Sequence, residues 1–157
     1  MAGQGISSGA IAFKESFVTL AQGLYTGDIA APVEVLVIGG IPGTYMPSDI
    51  VAFLGLRSDQ DYAAMGTNRS RDEIIQLDAF LSVERGGKDP ATDAVCERRV
   101  SDLLTVIEHF ARVTDTTIGN TVRECFLLKH ELVTTPSKNG RESYINATFQ
   151  AKFRITS

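Results

Sequence analysis

Hydrophobic residues recur along this chain with two different periods, and the switches between them mark its elements. From Asp89 to Val113 the period is helical. Cys96, Val100, Leu103, Ile107 and Phe110 follow at alternating steps of four and three, with Leu104 and Ala111 widening the stripe. Asp89 is placed to cap the first amides, Pro90 suits the first helical position, and Asp93 puts negative charge near the positive helix end. The opposite face carries Glu97, Arg98, Ser101, Asp102, Thr105, Glu108 and Arg112. There Arg98 with Asp102, and Glu108 with Arg112, are spaced to meet on the surface. A stripe this broad predicts burial against a sheet. Ala10, Phe13, Phe17, Leu20 and Leu24 repeat in the same way and predict a second helix, started by Ser7 or Ser8 and stopped by Gly27.

Elsewhere the period is two or the run is continuous. VEVLVIGG after Pro32 is short, β-branched and bounded by glycines, which predicts a strand covered on both faces. A turn through Met46 and Pro47 leads to a second strand, Asp49 to Leu56. Between Glu73 and Glu84, Ile75, Leu77, Ala79, Leu81 and Val83 alternate with mostly polar neighbours, the pattern of a strand with one wet face. After a turn from Thr114 to Asn120, Thr121 to Val133 reads as extended. Ser143 to Thr156 then alternates cleanly, with Ile145, Ala147, Phe149, Ala151, Phe153 and Ile155 on one side. Pro136, Asn139 and Gly140 join these last two segments as a hairpin. The order helix, three strands, helix, two strands predicts an α+β fold: a mixed or antiparallel sheet of about five strands, two helices packed on one face and a long C-terminal β-hairpin. Residues 1–9, rich in Gly and Ser, read as a flexible lead-in to a single domain over 10–157.

One stretch has no period. Arg57 to Asp72 is polar and contains Gly66, and a loop longer than about 12 residues is uncommon in a compact domain unless it binds something or moves. Arg57, Asp59, Asp61, Tyr62, Met65, Arg69, Arg71 and Asp72 are therefore the candidate interface residues. The mixed charges are suited to pairing between neighbouring subunits and ordering on assembly, with Tyr62 and Met65 as anchors; a mobile solvated loop is the alternative reading.

Composition narrows the classes. At 157 residues and 43% hydrophobic, the chain can bury a core without disulfides or a structural metal. A formal charge of −4 at pH 7 and a pI near 5.1 give no footprint for gripping nucleic acid. No apolar run approaches the roughly 20 residues a membrane helix needs, and MAGQGISSGA lacks a secretory signal pattern, so a protein made in a cytosol is expected. Cys96 and Cys125 are expected to be reduced core thiols.

Catalytic chemistry has no anchor at workable spacing. GGIPG (Gly39 to Gly43) follows a strand but lacks the lysine and hydroxyl of a P-loop and the spacing of a dinucleotide fingerprint. Asp59 and Asp61 lack the glycine and distal glutamate of a calcium loop. His109 and His130 do not neighbour a cysteine at metal-ligand spacing, and no serine sits in a G-x-S-x-G elbow. The expectation is a non-enzyme without metal or cofactor. The competing reading is a small enzyme or ligand-binding domain built on the Asp59 and Asp61 loop or the GGIPG turn.

Val35, Val37, Gly40 and Pro42 form V-x-V-x-x-G-x-P, and Asp49-Ile50-Val51 opens the next strand. Arg71-Asp72-Glu73 closes the loop; Arg98-Arg99, Leu103-Leu104, Ile107-Glu108 and Arg112 lie on the helix; Ile118-Gly119, Thr121-Val122 and Phe149 to Ile155 follow. In order and spacing these residues resemble the tail terminator, or tail completion, proteins of long-tailed bacteriophages, particularly siphophages infecting actinobacteria. The resemblance spans nearly the whole chain except the lead-in and the loop. It implies a structural virion protein that forms a hexameric ring, caps the head-proximal end of the tail tube, stops tube polymerisation and meets a head completion or connector protein. The implied partners are further copies of the chain, the major tail tube protein and the connector, with DNA passing through the lumen unbound and no membrane involved. Lumen carboxylates would repel phosphate and let the duplex slide. A head completion protein on the other side of the neck is the alternative within the structural class.

Overall fold

The computed structural model describes residues 8–31, 33–41, 43, 47–61 and 71–155; at Asp61, Arg71 and Ile155 the backbone alone is described. Helix α1 spans Ala10–Gln22 and a short 3-10 turn covers Gly27–Ala30. Strands β1 (Val35–Ile38), β2 (Asp49–Asp61) and β3 (Arg71–Gly86) follow. Helix α2 (Pro90–His109) ends in one π-helical turn over Phe110–Thr114, and β4 (Glu124–Ser137) and β5 (Gly140–Ile155) close the chain. The five strands form one mixed sheet in the order β1-β2-β3-β5-β4, in which only the β1–β2 pair is parallel. The α+β expectation holds, including both helices on one face and the terminal hairpin.

The pleat explains the packing. Odd-numbered residues of β3 and β5 point to the helices: Ile75, Leu77, Ala79, Leu81, Val83, Ile145, Ala147, Phe149 and Ala151 are all buried. Phe17 of α1 lies 5.1 Å, ring centre to ring centre, from both Phe53 on β2 and Phe149 on β5. From α2 the stripe Cys96, Val100, Leu103, Leu104 and Ile107 completes the same core. Tyr25, just past α1, donates its hydroxyl to the Leu103 carbonyl of α2 at 2.6 Å; burial pushes its pKa well above the usual tyrosine value. The Asp89 cap forms as the spacing predicts, its side chain accepting from the Thr92 N–H at 2.9 Å.

Four expectations need correction. First, β1 is a four-residue strand at the edge of the sheet, with only Val37 buried, because apolar density signals partial cover and not a central position. Second, α1 starts from Gly9 and ends at Gly23, not Gly27; the Ser8 hydroxyl instead accepts from the Ala10 N–H at 3.2 Å. Third, Glu108 and Arg112 do pair, at 2.7 Å, but among the described residues no ion pair joins Arg98 to Asp102. Fourth, both ends of the aperiodic stretch are strand: β2 runs on to Asp61 and β3 begins at Arg71, paired down to Asp61 with Asp72, while 62–70 lie outside the described residues.

The hairpin turn is two residues, Lys138 and Asn139, between the paired Ser137 and Gly140. Gly140 has φ +154°, and a Cβ there would run into the Arg85 carbonyl of β3, so only glycine lets β5 start against β3.

Candidate functional site

Extending β2 and β3 relocates the candidate residues. Arg57 and Asp59 lie on β2 and Asp72 on β3; Asp61 and Arg71 end those strands, and Tyr62, Met65 and Arg69 lie outside the described residues. Arg57 and Asp59 stand opposite Gln76 and Ile74, on the sheet face away from the helices. On β3 that face carries Gln76, Asp78, Phe80 and Ser82, and on the first half of β2 the buried Ile50 and Ala52.

Arg57 is held within its own chain. Its guanidinium donates twice to Asp78, at 2.6 and 2.9 Å, and Thr148 donates to the same carboxylate at 2.9 Å. The Arg57 hydrogen bond holds the Asp78 carboxyl below the usual aspartate range, against burial pulling the other way. Gly55 makes this possible, since it sits at the bulge in β2 and a Cβ there would stand 2.6 Å from the Asp78 carboxylate. Beside this trio, Gln76 donates to Gln150 at 3.1 Å, and Phe80 and Tyr144 stack with ring centres 5.5 Å apart. A shallow pocket of about 300 Å³ opens between Leu54, Asp78, Phe80, Asn146 and Thr148. At the root of the loop, Asp72 accepts from Arg154 at 3.0 Å and lies 3.9 Å from Arg123. The structure thus brings Arg57, Asp59 and Asp72 to one end of one face, but it ties Arg57 and Asp72 to partners on neighbouring strands.

Two buried carboxylates were not found by periodicity. Asp49, fully buried at the start of β2, accepts from Arg85 of β3 at 2.6 Å and from Arg99 of α2 at 2.7 Å. Arg99 also donates to the Val33 carbonyl at 3.1 Å, so one cluster fastens β2, β3, α2 and the segment leading into β1. The available signal was Arg99 at three residues from Cys96 and four from Leu103, on the margin of the apolar stripe. Glu73, also fully buried, accepts from the Ser8 hydroxyl at 2.6 Å and the Gly9 N–H at 2.9 Å and so caps α1 from β3. Its position continues the inward phase of β3, which is the clue the alternation offered.

The two thiols are buried and not in a disulfide, Cys96 donating to the Arg141 carbonyl at 3.6 Å; burial pushes the Cys125 pKa up to about 12, and the same effect raises that of Cys96. Among the described residues no group of three metal-ligating side chains converges, and no helix is long and apolar enough to cross a membrane. What the arrangement offers chemically is a half-exposed ladder of paired charges, amides and aromatic rings, and two strand edges. No protein-family model matches the chain, and no curated protein matches it at a significant level.

Proposed function

We propose that this chain is a structural virion protein that caps the head-proximal end of a siphophage tail tube, stops tube polymerisation and forms the tail side of the head–tail joint. It acts as a hexameric ring, contacts the major tail tube protein on one side and a head completion or connector protein on the other, and passes DNA through its lumen. It is not an enzyme and holds no cofactor.

The observation that supports the reading is the ordered set of motif residues, because several of them hold the fold together. Val35 and Val37 form β1; Asp49 is the centre of the buried ion cluster and Arg99 one of its arms. Glu73 caps α1, Leu103 and Ile107 line the core, and Phe149 and Ala151 sit under the helices. Gly119 takes φ +67° in a left-handed turn where a Cβ would stand 2.5 Å from the Ser16 hydroxyl oxygen. A shared pattern that lands on such positions supports a shared fold, and the tube-capping role follows from the resemblance that the pattern carries.

The test is polymerisation of the tail tube protein from the same genome with this chain present at a small molar fraction. Tubes that stop growing and become shorter as the fraction rises are expected. Tube lengths that do not respond, with the protein instead recovered on DNA-filled heads, would move it to the head side of the neck.

A further inference from the structure

Two edges of the sheet have no strand partner among the described residues. β4 pairs with β5 along one side, and β2 beyond Ala52 has β3 as its strand partner, since β1 covers just Asp49 to Ala52; side chains reach these edges at Leu54, whose carbonyl accepts from Lys14, and at Cys125, hydrogen-bonded to Thr116. Open edges of this length invite pairing with another chain unless they are blunted. Large apolar side chains stand exposed at both: Leu54 on β2, and Phe126, Leu128 and Leu132 on β4.

The two edges are complementary. β4 runs antiparallel to β5, β5 to β3 and β3 to β2, so β4 of one copy and β2 of a like-oriented second copy would meet antiparallel with their helix sides aligned. In the register that sets Lys129 opposite Asp59, Glu131 falls opposite Arg57, both pairs of opposite charge and all four residues on the helix-free face. The same register sets Leu132 opposite Leu56 and His130 opposite Ser58 on the helix side.

Backbone polarity agrees. In a two-residue hairpin the closing pair, here Ser137 and Gly140, is hydrogen-bonded within the chain. Alternation from Ser137 then leaves His130, Leu132 and Thr134 with their N–H and C=O groups pointing outward, and places Pro136, which has no N–H, on the outward side as well. On β2, Glu84 donates to the Ser48 carbonyl at 3.0 Å. Counting alternate residues from there across the bulge leaves Leu56 and Ser58 facing outward, opposite Leu132 and His130.

We infer that the β4 edge of one copy pairs antiparallel with the β2 edge of the next, with Lys129 opposite Asp59 and Glu131 opposite Arg57. The contact joins two different surfaces of the same chain, so it propagates head to tail and ends only by closing into a ring or continuing as a fibre. Its closure as a ring rests on the tail-cap reading; the pairing itself rests on the edges.

Paired cysteines test it. Within one chain β2 and β4 are separated by β3 and β5, about 14 Å at the spacing of adjacent strands, beyond the reach of a disulfide. Any Ser58→Cys to His130→Cys disulfide is therefore between copies. Mild oxidation of S58C/H130C is expected to give a ladder of disulfide-linked multimers. S58C/E124C, displaced by about 20 Å along β4, should give only the background of the parent chain, whose own cysteines are buried. In the S58C/H130C background D59K or K129D should abolish the ladder, and the two together should restore it. Equal ladders from both cysteine pairs, or none from a folded S58C/H130C chain whether free or bound to tubes, would overturn the pairing. A ladder without arrest of tube growth would sink the tail-cap reading alone, and arrest without a ladder would sink the edge pairing alone.

Discussion

The two faces of the sheet are built differently from the same strands. On the helix side, Phe17, Phe53, Phe149, Leu81 and Leu103 are fully buried in one continuous core. On the other side, Arg57, Asp78, Gln76, Gln150, Phe80 and Tyr144 are exposed to half-buried and are joined in pairs along the strands. The first face concentrates the hydrophobic stabilisation, which scales with apolar area withdrawn from water. The second withdraws less apolar area from water, with Ile50 and Ala52 its buried apolar positions and the rest held by polar and aromatic pairs.

Substitutions should separate the faces. Phe17→Ala, or Phe149→Ala, is expected to cost about 3–5 kcal/mol in denaturant unfolding, the range for emptying a buried aromatic site. Asp49→Ala follows at about 3 kcal/mol, because it leaves Arg85 and Arg99 facing each other without their shared carboxylate. A loss as small as that of a surface pair would show that the cluster is hydrated. On the open face Phe80→Ala should cost only about 1 kcal/mol, the scale of one aromatic pair, and a loss as large as Phe17→Ala would erase the contrast.

The smallest effect belongs to Arg57 and Asp78, both more than a third exposed on their side chains. Asp78→Asn should lower stability by less than about 1 kcal/mol at neutral pH. The Asp78 pKa is lowered in the folded chain, so its contribution is fully present above the unfolded value of 3.8 and is lost as pH falls through the lower folded value. The difference between wild type and D78N should accordingly shrink below that pH and not above it. Urea titrations across the acid range would check the sign.

Element type was legible because period is local: the α2 stripe and the alternation of β3 and β5 each lie within one continuous segment. The end of β2 was not legible. Its residues Arg57 to Asp61 are all polar, and among the described residues it is the ladder to β3 that holds them extended. The bulge at Gly55 also breaks the alternation just where the strand needed to be followed. Asp49 and Glu73 read as ordinary strand-end acids, since their burial depends on Arg85, Arg99, Ser8 and Gly9 arriving from elsewhere in the chain. Of the candidate interface residues, Arg57, Asp59 and Asp72 come together at one end of one face of the sheet, while the in-chain partners of Arg57 and Asp72 emerge only with the sheet assembled.

Electron microscopy of assembled tail tubes incubated with labelled protein decides whether this chain is a tail cap. Label is expected at a single tube end, the head-proximal one, with growth arrested there. Label along the tube walls, at both ends, or only on DNA-filled heads would contradict it.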